Sequence, residues 1–258
     1  MTSSQFLVRV CAAGIFSLAS PCFAQLDSCL AAHGSVGKWQ SFGSVEYDLT
    51  WEGGKGTRKD HQLFDLKSRD GLITGTEYTL GSNKGEVWIK PGLEALGGTP
   101  PRFYMWTPFY FFGMPFVFAD PGAKQEALGN KTFQGQELAA TKVTFKSGTG
   151  DSPDDYYVAY ADPASGRLKL VEYIVTFASL RKGKPLDQLE RHAIVFEEWQ
   201  QADGLLVPKL ARFYNWKDGN IEGEPLGKLS WSAVHFSTET PDKARFAKPA
   251  DAVVAPLP

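Results

Sequence analysis

The chain has few cysteines, few histidines and no long apolar run. Only three cysteines occur among 258 residues, and two of them, Cys11 and Cys22, fall within the first 24. If that segment is removed, Cys29 is left alone and an internal disulfide is excluded. The four histidines are scattered, and no HExxH, CxxC, G-x-S-x-G or phosphate-loop pattern is present. The sequence therefore predicts no metal site, no cofactor and no recognised nucleophile, and the hydrophobic core must supply the stability.

Excess charge of one sign is also missing. Without the first 24 residues, whose only charged residue is Arg9, 26 basic residues face 29 acidic ones, and no block of like charge occurs. Such a balance offers no attraction to a phosphate backbone or an anionic membrane surface, so nucleic acid is not an expected partner. The densest apolar stretch is interrupted by Pro108, Gly113 and Pro115 and falls short of the roughly 20 residues that a membrane span requires. No transmembrane segment is predicted in the mature chain.

The first 24 residues have the plan of a secretory signal peptide. Arg9 supplies a positive charge, an apolar run covers Val10 to Ala19, and the small residue Ala24 precedes the change in composition. Lipid attachment at Cys22 is the alternative, but Pro21 stands where such signals require a small residue. We expect cleavage after Ala24, a periplasmic or secreted product, and a single mature domain over residues 25–258.

One stretch, from Phe103 to Phe118, is exceptionally aromatic. Nine of its sixteen residues are aromatic, and the whole chain has 34. Burying one such ring removes about 150–250 Å² from water, so the stretch must be shielded from solvent. Because of its prolines and glycine we expect short helical turns and loop rather than one continuous helix. It could line a cavity or fill a core, since both have the same composition. The nine candidate cavity residues are Phe103, Tyr104, Trp106, Phe109, Tyr110, Phe111, Phe112, Phe116 and Phe118.

The rest of the chain reads mainly as strands. Leu26, Cys29, Leu30 and His33 form one stripe of a short N-terminal helix that ends at Gly34. From Phe42 onward, apolar and polar residues alternate, as in Val45, Tyr47, Leu49 and Trp51. About ten strands follow at short spacing, with Leu72–Leu80 predicted as one of them, and this favours a sandwich or barrel. A curved sheet wrapped around the aromatic stretch would satisfy both observations.

Four pieces of the sequence resemble an uncharacterised family of secreted bacterial proteins, which in turn resembles the lipoprotein localisation factors, including the LolA and LolB carriers. They are AHGSVGKW (Ala32–Trp39), MPFVFADPG (Met114–Gly122), EEWQQADGLLVP (Glu197–Pro208) and PDKARFAKP (Pro241–Pro249). The resemblance implies a mainly β fold with one strongly curved antiparallel sheet, an open half-barrel. It also implies that a helical or loop segment covers or fills the concave side and that the cavity holds acyl chains or another lipophilic ligand. No catalytic residue is implied, and the carrier role does not transfer with the fold alone.

Three hypotheses about function follow. The first is a non-enzymatic binding or carrier protein for a hydrophobic small molecule or acyl chain, its protein partner unknown. The second is an envelope hydrolase in which His61, His192 or His235 works with strand carboxylates such as Glu172, Glu197 and Glu198. The third is a ligand-free structural or interaction module. Three further features each have a structural and a functional interpretation. Cys29 could be a core residue or a reactive thiol. Asp151, Asp154 and Asp155 could form a turn or bind calcium, and Asn130-Lys131-Thr132 could form a turn or be a glycosylation acceptor.

Overall fold

The chain is mainly β, and its strands form one antiparallel sheet. The computed structural model describes residues 21–54, 56–146, 150–152 and 154–258; residues 1–20, most of the expected signal peptide, lie outside them. Within the described residues the sheet has 13 strands. They are β1 (Ser44–Gly53), β2 (Gly56–Asp65), β3 (Gly71–Gly75), β4 (Thr79–Asn83), β5 (Glu86–Lys90), β6 (Ala123–Phe133), β7 (Gln136–Phe145), β8 (Tyr156–Ala161), β9 (Leu168–Ile174), β10 (Arg191–Ala202), β11 (Leu205–Lys217), β12 (Asn220–Ser237) and β13 (Val253–Val254).

The strand order is β13-β5-β4-β3-β2-β1-β12-β11-β10-β9-β8-β7-β6. Two meanders, β1 to β5 and β6 to β12, meet where β1 pairs with β12. Because β13 and β6 stand at opposite ends of this order, the sheet stays open. The predicted fold, a single curved antiparallel sheet in an open half-barrel, is confirmed.

Two-residue turns fix the register of several hairpins. The pairs Lys84-Gly85, Gln134-Gly135, Asp203-Gly204 and Asp218-Gly219 each have two successive positive φ angles. This is the type I′ geometry, whose twist matches the right-handed twist of the flanking strands. Each pair joins consecutive strands of the order given above. The alternation predicted for β1 is also observed, because Val45, Tyr47 and Leu49 are buried on one face.

Among the described residues, four α-helices accompany the sheet: α1 (Pro21–Ala32), α2 (Val36–Ser41), α3 (Pro101–Gly113) and α4 (Ala178–Arg181). The stripe predicted for α1 is confirmed, since Leu26, Cys29, Leu30 and His33 are all buried. Cys29 lies in the core, where burial raises the pKa of its thiol to about 12. In the part of the chain that the structure describes, no helix is both long and apolar enough to cross a bilayer.

The imidazole of His33 fastens the end of α1 to two strands. Its Nδ1 lies 2.9 Å from the carbonyl oxygen of Leu206, and its Nε2 accepts a hydrogen bond of 3.1 Å from the backbone N–H of Leu168. Nδ1 is therefore the protonated nitrogen, and its N–H donates a hydrogen bond to the Leu206 carbonyl. Burial lowers the pKa of this imidazole to about 4. His33 is a neutral structural residue at the junction of α1, β9 and β11.

The aromatic stretch forms a longer helix than its sequence predicts. Helix α3 continues through Pro108 to Gly113, and a 3₁₀ turn at Phe116–Ala119 follows it. A proline inside a helix costs about 3 kcal/mol, and here Pro108 is buried together with Phe109 and Phe112. Tertiary burial offsets the local preference, so the expected interruption occurs only after Gly113.

Other strand predictions need correction. The run Leu72–Leu80 is two strands, because the chain reverses between Gly75 and Tyr78, where the Gly75 N–H donates to the Tyr78 carbonyl. The sequence pattern did not predict β6 as a strand. Asn130, which was expected in a turn, lies inside this strand. Most of β6 is exposed at the end of the sheet, so it shows little apolar alternation. The C-terminal tail adds β13 to the sheet beside β5.

Candidate ligand-binding cavity

A cavity of about 1010 Å³ lies between α3 and the concave face of the sheet. This is at the upper end of the volumes that ligand pockets in proteins occupy, roughly 300–1,000 Å³. Aromatic side chains from both meanders form much of its wall, and the exposed leucines Leu180 and Leu226 also line it. The curvature of the sheet therefore encloses a space that the side chains leave partly empty.

Helix α3 presents one face to the cavity. Phe103, Trp106, Thr107 and Tyr110 line it and are half-buried. They are spaced at i, i+3, i+4 and i+7, which places them on one side of a helix. Phe103 contacts Phe177 across the cavity wall, with ring centroids 5.6 Å apart. Because these side chains are only half-buried and border the cavity, this face is available to a ligand.

The opposite face of α3 belongs to the core. Phe112 is completely buried, and its ring lies 4.3 Å from that of Tyr47 and 6.1 Å from that of Phe236. Phe109 packs on Phe64 with centroids 4.4 Å apart. Helix α3 is thus anchored on β1, β2 and β12 by one face while the other lines the cavity.

The nine aromatic residues singled out in the sequence divide between these two environments. Five lie on the cavity wall: Phe103, Trp106, Phe109, Tyr110 and Phe111. Four are core residues with at most 1% exposure and do not line it: Tyr104, Phe112, Phe116 and Phe118. The two interpretations of the stretch, cavity wall and core, are therefore both realised within one segment, and Phe109 takes part in both, because it lines the cavity while its ring packs on that of Phe64. Ligand binding by the five wall residues stays a prediction.

Sequence reasoning missed the part of the wall that the strands supply. Trp51, Tyr157, Tyr173 and Phe213 line the cavity from β1, β8, β9 and β11. Phe111 bridges the helix and these strands, since its ring lies 5.2 Å from that of Tyr173 and 5.3 Å from that of Phe213. The only signal for them was the two-residue alternation, which identifies an inward face but not an empty space beside it.

A buried carboxylate with three hydrogen-bond donors lies beside one part of the wall. Asp60 accepts hydrogen bonds from the hydroxyls of Tyr78 (2.5 Å) and Tyr104 (2.6 Å) and from Gln62 (2.8 Å). Burial raises the pKa of Asp60, although these bonds and Arg58 act in the opposite direction. The Arg58 guanidinium stacks over the Tyr104 ring at 4.4 Å. This network ties β2 and β4 to α3 and stiffens that part of the wall.

A second polar group, which we call the tyrosine pole, consists of Tyr110, Tyr157, Tyr173, Asp155 and His192, and all five line the cavity. The rings of Tyr157 and Tyr173 lie 6.3 Å apart, and those of Tyr173 and His192 lie 5.8 Å apart. Burial is the main cause that raises the pKa of each tyrosine, and the charge of Asp155 raises all three further. The charge of Asp155 therefore acts on all three tyrosine hydroxyls, which line the same cavity.

The Asp155 carboxylate has hydrogen bonds, and no ion pair with a basic side chain is found for it among the described residues. One of its oxygens accepts from the Thr176 N–H (2.8 Å) and the Thr176 hydroxyl (2.6 Å). Burial, with a further contribution from Asp154, raises its pKa to about 6. Burial lowers the pKa of His192, so this imidazole is neutral at pH 7. Among the described residues, Nδ1 of His192 is buried without a hydrogen-bond partner.

Two arginines on the wall are already neutralised. One Nη of Arg69 lies 2.7 Å from both oxygens of Asp120. Arg102 forms a two-point pair with Asp151, with both N–O distances 2.7 Å. These pairs connect the cavity wall to neighbouring loops, although Nη1 of Arg69 has no hydrogen-bond partner among the described residues, and Arg58 and Lys59 also line the wall.

The histidines and carboxylates considered for catalysis do not converge. His61 is 2.9 Å from Asp48 on the outer face and His235 is 3.3 Å from Asp203, both exposed, whereas His192 lines the cavity. Each of the three strand carboxylates has its own basic partner, and none lines the cavity: Glu172 pairs with Arg191, Glu197 with Arg212 and Glu198 with Lys209. Within residues 21–258, apart from those left undescribed, no group of three or more His, Cys, Asp or Glu side chains is arranged to hold a metal ion.

The chain is similar in fold to several solved structures. A LolA superfamily protein from Nitrosomonas europaea aligns with a TM-score of 0.54 and 12% identity over 88% of this chain and 97% of the other. A DUF1329 family protein from Desulfovibrio piger gives 0.51 and 14% over 88% and 97%. A domain from Vibrio parahaemolyticus described as an outer membrane lipoprotein-sorting protein gives 0.50 and 15% over 87% and 95%. No protein-family model and no curated protein sequence matches the chain. At these identities the similarity shows the fold, and the expected LolA-like half-barrel is confirmed.

Proposed function

We propose that this protein is a non-enzymatic binding or carrier protein for a hydrophobic ligand with an acyl chain or a chain of similar shape. The observation that carries the proposal is the cavity of about 1010 Å³ beneath the half-buried face of α3. An apolar chain entering it leaves water and contacts Phe103, Trp106 and Phe111, which is favourable by about 25 cal/mol for each Å² of apolar surface removed. The fold similarity to a LolA superfamily protein and to a lipoprotein-sorting domain supports the same proposal.

The placement of the histidines favours binding over hydrolysis. A hydrolase that used strand histidines would bring two or more of them together with a carboxylate on the concave side. His192 is there, but its Nδ1 is unpartnered among the described residues. His61 and His235 have carboxylate partners but are exposed away from the cavity wall. The third hypothesis, a filled structural module, does not account for the open volume beside Trp106 and Phe111.

The proposal extends to location and processing. We propose that residues 1–24 are removed as a signal peptide, that residues 25–258 form the working domain, and that the protein acts in the periplasm or outside the cell. The single sheet, which runs from β1 to β13, supports one working domain. Intact mass of the secreted product tests the processing step, with Gln25 as the expected first residue.

Native mass spectrometry tests the binding proposal. The protein is purified from the periplasm without detergent, its mass is measured, and organic extracts are searched for released compounds. The expected result is a stoichiometric long-chain compound, or, for protein that emerges empty, uptake of added dodecanol with one-to-one stoichiometry. Protein that carries no lipophilic compound and takes up none would refute the proposal and favour the structural module.

A further inference from the structure

The cavity wall is not uniformly apolar: charged residues such as Arg58, Lys59 and Glu77 line one part of it, and the tyrosine pole is another polar part. Phe103, Trp106, Phe177 and Phe213 offer only apolar surface elsewhere on the wall. At the pole, three tyrosines and the Asp155 carboxylate line the cavity together, and among the described residues no ion pair of Asp155 with a basic side chain is found. A ligand that matches this wall has a long apolar part and a polar head group that fits the tyrosine pole.

The sign of the charge at the pole decides which polar end fits. Asp155 is held by Thr176, which donates hydrogen bonds but carries no charge. The charges of Arg69 and Arg102 are balanced by Asp120 and Asp151. An anionic head group at the pole would therefore be repelled by the Asp155 carboxylate, and more strongly than in bulk water because this carboxylate is partly buried. A cationic head group would instead receive attraction from that carboxylate.

The tyrosine rings add a second attraction of the same sign. A cation within about 6 Å of an aromatic ring face is attracted by the ring's electron density, and a group of aromatic rings is the usual receptor for ammonium groups. Tyr157 and Tyr173 have an interplanar angle of 35° with centroids 6.3 Å apart, so they form a continuous aromatic surface. Tyr110 contributes to the pole from α3. His192, being neutral, adds no repulsion to a cation.

We propose that the tyrosine pole receives a positively charged ammonium head group of an amphiphile whose chain lies along the aromatic wall, and that Asp155 is the residue that selects this charge. This inference rests on the proposed function, because it assigns a ligand class to the same cavity. Asp155 acts by direct electrostatic attraction, while Thr176 holds its carboxylate towards the cavity.

Three ligands with the same twelve-carbon chain separate charge from chain length. Dodecyltrimethylammonium, dodecanol and dodecanoate are each used below their micelle concentrations to displace the neutral fluorescent probe N-phenyl-1-naphthylamine at pH 8. The wild-type protein is compared with Asp155→Asn and with a matched control, Asp154→Asn, whose carboxylate is adjacent but 58% exposed. Circular dichroism and thermal unfolding establish that each variant is folded.

The expected result is a loss of affinity for the ammonium ligand of about tenfold or more in Asp155→Asn, from the loss of one close opposite charge. Affinity for dodecanol should change little, and affinity for dodecanoate should rise. Asp154→Asn should behave as wild type. If Asp155→Asn does not fold, the wild-type series still decides the question, because dodecyltrimethylammonium should displace the probe at lower concentration than dodecanol.

Two negative outcomes are distinguishable. If dodecanol displaces the probe as well as the ammonium ligand does, or if Asp155→Asn leaves the order of the three ligands unchanged, the charge selection is refuted while the carrier function stands. If the probe does not bind and none of the three ligands binds, the carrier function itself fails.

Discussion

Truncating one phenylalanine on each face of α3 should separate ligand binding from stability. Phe112 is completely buried and lies within 6.3 Å, centroid to centroid, of the rings of Tyr47, Trp231 and Phe236. Phe112→Ala would open a void among them and should cost about 3–5 kcal/mol of unfolding free energy. For a domain of this size each kcal/mol lowers the melting temperature by about 2–4 °C, so a fall of about 6–20 °C is expected.

Phe103→Ala is the matched variant on the other face. Phe103 is half-buried on the cavity wall, and the ring contact recorded for it is with Phe177 at 5.6 Å. Because a fully buried phenylalanine contributes about 1.5–3 kcal/mol, half that burial should cost only about 1 kcal/mol. The variant should instead release a bound acyl ligand more readily.

Two assays on the same samples measure stability and ligand affinity separately. Urea unfolding followed by circular dichroism gives the stability of each variant, and displacement of N-phenyl-1-naphthylamine gives its affinity for an apolar ligand. The assignment of the two faces predicts a large stability loss with little change in affinity per folded molecule for Phe112→Ala, and the reverse for Phe103→Ala. Equal stability losses in both variants, with unchanged probe binding, would refute it.

Two further predictions concern buried polar groups. The pKa of His33 is lowered from 6.5 to about 4 by burial, so the unfolded chain binds a proton more readily than the folded one between these values. The contribution of His33 to the free energy of unfolding is complete above pH 6.5 and is lost as the pH falls towards 4, about 3 kcal/mol in all. Between pH 7.5 and pH 4.5, the free energy of unfolding measured with urea should therefore fall less for His33→Gln than for the wild type. Equal falls in both proteins would contradict the role assigned to the imidazole. Tyr104→Phe removes one of three donors to the buried Asp60 carboxylate and should cost about 1.5–3 kcal/mol. An unchanged urea midpoint for that variant would show that the Tyr104 hydroxyl does not support the carboxylate.

The strand pattern was readable where one face of a strand is buried and the other solvated. Alternation in β1 follows directly from the two-residue period of a strand, and the Asp-Gly turns after β10 and β11 announce type I′ hairpins. Strand β6 was not predicted because it is mostly exposed, so burial imposes little apolar pattern on it. The reversal of the chain between β3 and β4 was not predicted because no proline and no pair of turn residues marks it.

The aromatic stretch shows the limit of local reasoning. Its density correctly indicated a segment shielded from water, but Pro108 suggested a break that packing overrides. Its residues at i, i+3, i+4 and i+7 share a helix face only if the helix continues, so the division into wall and core could not be drawn before α3 was known. Strand residues such as Tyr173 and Phe213 joined the site through contacts with Phe111, a residue far from both of them in the sequence.

By itself, the sequence determined the class of the protein: a mainly β domain with one aromatic covering segment, no internal disulfide in the mature chain, and no catalytic motif. These properties follow from periodicity, composition and residue counts, which are local or additive. Only the tertiary structure decided that a cavity remains beneath α3, that Asp155 lines it with three tyrosines and with no basic partner in the described part of the chain, and that the histidines are dispersed. Empty volume and uncompensated charge depend on how distant strands approach one another, and no short stretch of sequence encodes that distance.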